Sequence, residues 1–175
     1  MEEHNVTFDG VTYDLPHPFI TMATQNPMGS AGTQPLPESQ LDRFMICLSI
    51  GYPNLEKQIE IIKSRRYDNP IERIKEVASK ENVIEVQNYL SSVRISDDVL
   101  KYIVLLCEKT REMPLVELGV SPRGVLALVQ MAKAHAVLED RIYVIPEDVQ
   151  YVFLDVCAHR MILRPQARVE GLDAR

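Results

Sequence analysis

Two apolar runs of strand type, Phe19-Ile20-Thr21-Met22-Ala23-Thr24 and Phe44-Met45-Ile46-Cys47-Leu48-Ser49-Ile50, lie before Pro53, and everything after Pro53 carries helical periodicity. This asymmetry constrains the chain more than any other feature. The second run is apolar on nearly both faces, as an interior strand of a covered sheet is. Two such strands cannot build a stable α/β sheet alone, because each needs hydrogen-bonding neighbours and cover for its faces. Residues 1–52 are therefore expected to be the closing part of an α/β domain, residues 53–163 a separate helical unit, and residues 164–175 a loose polar tail.

Local signals fill in this outline. Asp9-Gly10 between Val6-Thr7-Phe8 and Val11-Thr12-Tyr13 predicts a tight β-hairpin, since both turn positions need positive φ. Residues 26–37, rich in Gly, Pro, Ser and Gln, read as a loop, and residues 37–44 as a short helix. Asn54 is placed to cap a helix with the stripe Leu55, Gln58, Ile59 and Ile62, and a further helix is expected from about Ile71 or Ser79 to Ser92. Ser96 caps the next, with Val99, Tyr102, Ile103 and Leu106 as its inner face. Ser121-Pro122 is a cap followed by proline at the first helical position, leading the stripe Val125, Leu128, Val129, Ala132 and Ala136. Pro146-Glu147-Asp148 opens a last helix with Val149, Val152, Phe153 and Val156 turned inward. The run Tyr151-Val152-Phe153-Leu154-Asp155 looks like a metal-binding strand, but its period is helical and Val156 stands where an acid would be needed.

Composition excludes several function classes. The formal charge of −6 argues against a nucleic-acid surface, which carries a basic excess. Lys63 to Arg66 is basic but reads as charge favourable to a helix carboxyl end. No apolar run approaches membrane-span length and Met1-Glu2-Glu3-His4 is no signal peptide, so cytoplasmic residence is expected. Cys47, Cys107 and Cys157 are far apart among apolar neighbours, without Cys-x-x-Cys or His-x-x-x-His spacing. Buried reduced thiols are expected, and no metal site.

Three residues could carry chemistry. Asn26 ends an apolar strand-like run, at the carboxyl edge where open α/β sheets bind ligands, and an amide there can orient a water or bond a phosphate oxygen. A turn-forming Asn before Pro27 is the plainer alternative. Arg43 lies between a helix and an apolar run, from which it could reach a neighbouring molecule's phosphate. It could equally be solvated, or paired with Asp42 or Glu38. Arg123 faces away from the core stripe at a helix amino end, where the helix dipole disfavours a cation unless an anion joins it. Its plainer partner would be Glu117.

Taken together and in order, these segments resemble a known family. Val6-Thr7-Phe8-Asp9-Gly10-Val11-Thr12-Tyr13, Ala23-Thr24-Gln25-Asn26-Pro27, Gly32-Thr33-Gln34-Pro35-Leu36-Pro37-Glu38, Gln40-Leu41-Asp42-Arg43-Phe44, Gly119-Val120-Ser121-Pro122-Arg123 and Arg141-Ile142-Tyr143-Val144-Ile145-Pro146-Glu147-Asp148-Val149 look like MoxR-type AAA+ ATPases, to about Arg164. The resemblance implies a mixed α/β fold: the terminal strands and hairpin of an AAA+ core, then an all-α lid. Asn26 would match sensor 1, Arg43 the arginine finger acting in trans, and Arg123 sensor 2 in the lid. It also implies ATP and Mg2+ as cofactors of the parent, a homo-oligomeric and often hexameric ring, and partners with von Willebrand A-type domains. The implied activity is ATP hydrolysis coupled to remodelling or maturation of partner proteins.

Departures from the family pattern are equally informative. No Gly-Lys pair occurs anywhere, so the family's Gly-x-x-x-x-Gly-Lys-Ser/Thr loop is absent, as is its magnesium-holding acidic strand. The β- and γ-phosphates lack a cradle without that loop's amides and lysine. A carboxy-terminal ATPase fragment, inactive alone and holding no nucleotide tightly, is therefore the leading expectation. A non-catalytic interaction module that keeps the lid, or a helical nucleic-acid adaptor, are the alternatives. Asp140 stands where the family often has Gly before Arg141, a change expected to touch only a turn.

Overall fold

The computed structural model describes residues 5–25, 36–65 and 69–174. β1 (Asn5–Phe8) and β2 (Val11–Asp14) pair antiparallel across Asp9-Gly10, with Val6 opposite Tyr13 and Thr7 opposite Thr12. Asp9 and Gly10 take φ of 50° and 79°, the left-handed values that a two-residue hairpin requires. Both faces of this hairpin are exposed. α1 (Glu38–Leu41) follows as one short helical turn.

The two strand-type runs do not form strands. Residues 19–25 and 46–50 form no regular element and have no ladder partners among the described residues, and their side chains stay exposed or half-buried. The physical reason is non-local. Strand pairing is completed by neighbours from elsewhere in a sheet, and the described residues supply none. Ile46 alone of these runs packs on the main core. Cys47 is likewise exposed, correcting the expectation of three buried thiols, whereas Cys107 and Cys157 are buried.

Helices make up the rest. α2 (Leu55–Arg65) is capped as expected by Asn54, whose Oδ1 accepts from the Lys57 amide at 2.9 Å, yet it buries no residue. Lys63 and Arg65 occupy its last turn, where cations suit the dipole. After a 3-10 turn at Pro70–Arg73, α3 (Lys80–Leu90) starts from a Ser79–Asn82 capping box.

The core lies in α4 (Asp97–Glu112), α5 (Pro122–Leu138) and α6 (Pro146–Cys157). Ile103, Leu128, Val149 and Val156 are fully buried there, and α5 packs most extensively on α6. Ser96 and Ser121 cap α4 and α5 through the Val99 and Gly124 amides. β3 (Val116–Leu118) pairs antiparallel with β4 (Ile162–Leu163), and Arg94 bridges to Tyr143, so both ends of the bundle are tied down. The segment expected to be a loose tail instead contains α7 (Pro165–Val169). Its Ala167 is buried, because β4 draws the chain back against the loop between α4 and α5.

Candidate functional site

Asn26 lies outside the described residues. Arg43 is half-buried in the turn that follows α1, its amide bonded to the Gln40 carbonyl at 3.1 Å. Arg123 stands in the first turn of α5, its side chain 38% exposed. The residue between α1 and Arg43 links this turn to Arg123.

That residue is Asp42. Its Oδ2 accepts from Arg123 Nη1 at 3.0 Å, and its Oδ1 accepts from Ser121 Oγ at 2.8 Å. The same Ser121 oxygen accepts from the Gly124 amide at 3.1 Å as the cap of α5. Asp42 thus supplies the negative charge that a cation at a helix amino end calls for. Arg123 pairs with this carboxylate rather than with Glu117. Burial pushes the Asp42 carboxyl up. The Ser121 hydroxyl, Arg123 and Arg160 together outweigh that and hold it below its ordinary value.

Arg160, in the 3-10 turn after α6, completes the cluster. Its side chain is 1% exposed, and its Nε lies 3.2 Å from Asp42 Oδ1. Nη2 donates to the carbonyls of Asp42 at 3.2 Å and Phe44 at 2.5 Å. Nη1 donates to the Met45 carbonyl at 3.2 Å and to that of Val156. His159 Nε2 lies 3.2 Å from the Phe44 carbonyl and 2.8 Å from Arg160 Nη1. Burial and then the Arg160 charge push the His159 pKa down. The Cys47 amide donates to the Asp155 carbonyl at 2.8 Å, extending the seam.

Sequence reasoning named Arg43 and Arg123 but missed the role of Asp42 and did not single out Arg160. Asp42 stands inside a recognised segment, where it is visible only as a local partner for Arg43. For Arg160 there is no sequence signal, because Asp42, Phe44 and Met45, which it holds, lie more than a hundred residues earlier. The arrangement can hold an anion between two guanidiniums and a helix amino end, and it ties the segment carrying Arg43 to the helical unit.

Comparisons with known proteins agree with this architecture. Residues 1–46 match the model of the "ATPase family associated with various cellular activities (AAA)", and residues 108–175 match that of the AAA lid domain. The uncharacterized protein YeaC of Bacillus subtilis is 47% identical over 99% of this chain and 54% of its own length. Chaperone MoxR1 of Mycobacterium tuberculosis is 34% identical over 98% of this chain and 48% of its own length. A solved structure of a candidate ATPase from Cytophaga hutchinsonii superposes with a TM-score of 0.88 at 36% identity, covering 99% of this chain and 56% of that one. The chain spans about half the length of the relatives it matches. With core and lid segments both matched around the Asp42–Arg123 junction, the chain belongs to the MoxR-type AAA+ ATPases.

Proposed function

We propose that these 175 residues form the end of the core and the lid of an ATPase that couples ATP hydrolysis to remodelling or maturation of partner proteins. AAA+ ATPases usually assemble as oligomeric rings, and a hexamer is the form proposed here. Partners carrying von Willebrand A-type domains belong to the same proposal. The observation that carries it is the anion held at the amino end of α5 by Ser121 and Arg123. A site that already binds one carboxylate is suited to reading a phosphate.

In this reading Arg123 reports on the nucleotide of its own subunit, as sensor 2. Arg43 reaches the next subunit's nucleotide and neutralises charge that develops on the transferring phosphoryl group. Asn26 orients the attacking water. The residues present fit the sensing of a phosphate but not its cradling: the Gly-Lys loop is missing from the sequence. Among the described residues, no group of three or more His, Cys, Asp or Glu gathers that could hold an ion. Mg2+, when bound in the complete ring, screens phosphate charge, and its ligands are assigned to the core rather than to this chain. No described helix is long and apolar enough to cross a membrane.

Two measurements test the reading. In rings of the complete ATPase, Arg43→Ala is expected to lower kcat by about a thousandfold with nucleotide Kd intact. Unchanged turnover would remove Arg43 from the chemistry. The 175-residue chain alone is expected to show no ATPase turnover above background, and a robust rate that survives repurification would overturn the assignment.

A further inference from the structure

Arg160 is a buried cation for which the proposed chemistry has no use. Its guanidinium grips four groups on three residues of one turn: the Asp42 carboxylate and carbonyl, the Phe44 carbonyl and the Met45 carbonyl. Arg43 lies inside that gripped stretch. Arg160 is itself anchored in the helical unit through the Val156 carbonyl at the end of α6. Burying a guanidinium is costly unless its donors are used; both amino groups are used here, and the buried Nε, which makes no hydrogen bond, is offset by the charge of Asp42.

Gly124 makes room for it. A Cβ at Gly124 would lie 2.8 Å from Arg160 Cδ and 2.6 Å from Val120 Cγ1. The glycine beside Arg123 is thus what allows the Arg160 side chain to pass under the first turn of α5. The two arginines share one carboxylate, Arg123 on Oδ2 and Arg160 on Oδ1. If Arg123 leaves Asp42 for another anion, Asp42 keeps Arg160 as counter-charge. Arg123 is therefore exchangeable, whereas Arg160 is fixed.

We propose that Arg160 is a positioning residue that couples the lid to the Arg43 turn, so that transfer of Arg123 from Asp42 to a nucleotide phosphate is transmitted to Arg43. This rests on the roles proposed above for Arg123 and Arg43. Its consequence is that a subunit's own nucleotide sets the arginine it offers to its neighbour. Arg160 touches no reacting atom. It holds the backbone from which Arg43 projects, and small misplacement of such a group is enough to slow a reaction.

The test uses rings of the complete ATPase carrying Arg160→Gln, Arg160→Lys, Asp42→Asn, Gly124→Ala or, as control, Arg43→Ala. Gly124→Ala presses on both Val120 and Arg160 and removes none of the Arg160 groups, so it keeps the test open if Arg160→Gln fails to fold. Arg160→Gln and Gly124→Ala are expected to lower kcat by about ten- to a hundredfold with nucleotide Kd within about twofold. Arg160→Lys is expected to recover part of the loss. Amide exchange supplies a readout that a merely structural role would leave unmoved. A non-hydrolysable ATP analogue is expected to change exchange across residues 42–47 in the unaltered ring and not in Arg160→Gln, Gly124→Ala or Asp42→Asn. If Arg43→Ala abolishes turnover while Arg160→Gln and Gly124→Ala keep it, the coupling is wrong and the finger stands. If Arg43→Ala keeps turnover, the finger reading falls, and the exchange measurement alone decides the mechanical link. Persistence of the nucleotide-dependent change in Arg160→Gln and Gly124→Ala would refute it.

Discussion

At the scale of single residues, Asp148 shows how a charge can be buried and still stabilise. It is fully buried, and its carboxylate accepts from Arg141 Nη2 at 2.5 Å, Arg141 Nη1 at 2.8 Å and the Ile145 amide at 2.9 Å. His135 Nδ1 lies 2.7 Å away. Burial alone would raise its pKa, but Arg141, the Ile145 amide and His135 bring it down to about 2 from 3.8. Because the folded value lies below the unfolded one, the stabilisation is complete above pH 3.8 and drains away as pH falls towards 2. Asp148→Ala is expected to cost about 3 kcal/mol at neutral pH, because it strands the Arg141 charge. It should also flatten the acid limb between these two values. Urea unfolding at pH 7 and pH 3 measures both, and a variant as stable as the parent at pH 7 would count against this account. In the sequence Asp148 is legible only as a first-turn helix residue. Its burial depends on Arg141 folding back from the preceding loop, which no local pattern announces.

At the scale of elements, capping was the most legible chemistry. Asn54, Ser96 and Ser121, the three caps named from the sequence, each accept from the amide three residues on. The carboxyl end of α5 is closed by a Schellman motif: Asp140 N–H donates to the Val137 carbonyl at 3.0 Å and Arg141 N–H to the Ala136 carbonyl at 2.8 Å. Asp140 takes φ of 55°, the left-handed conformation that the motif demands. This explains why Gly suits the position and why Asp there affects only a turn. Asp140→Gly is expected to raise stability by roughly 0.5–1 kcal/mol, seen as a higher unfolding midpoint; a loss would contradict the assigned strain. Ser121→Ala should cost about 1 kcal/mol as a lost cap, and more if the Asp42 bond is counted. Strands were the least legible elements. The runs at 19–24 and 44–50 have the composition of interior strands, but pairing is a property of neighbours. The short β3–β4 ladder, joining residues some forty-five apart, left no trace in the pattern.

At the scale of the whole molecule, burial is one-sided. Among the described residues, none before Val93 is buried, and Ile20, Met22, Leu48 and Ile50 are 62–98% exposed. Exposed apolar runs of this kind promote association between chains. Self-association of the isolated chain is expected to grow with concentration in sedimentation measurements and to weaken in Met22→Lys and Ile50→Lys. A strict monomer at all concentrations would count against it.

The sequence by itself determined the hairpin, the capped helices and the family, because each depends on residues close together in the chain or on an ordered set of segments. The tertiary structure alone decided that Arg123 meets Asp42, that Arg160 grips the turn bearing Arg43, and that residues 164–175 are not simply loose. These depend on groups brought together across 81 to 118 residues, or on a return of the chain through β4. Periodicity reports which face of an element turns inward; it carries no information about which distant group will meet it there.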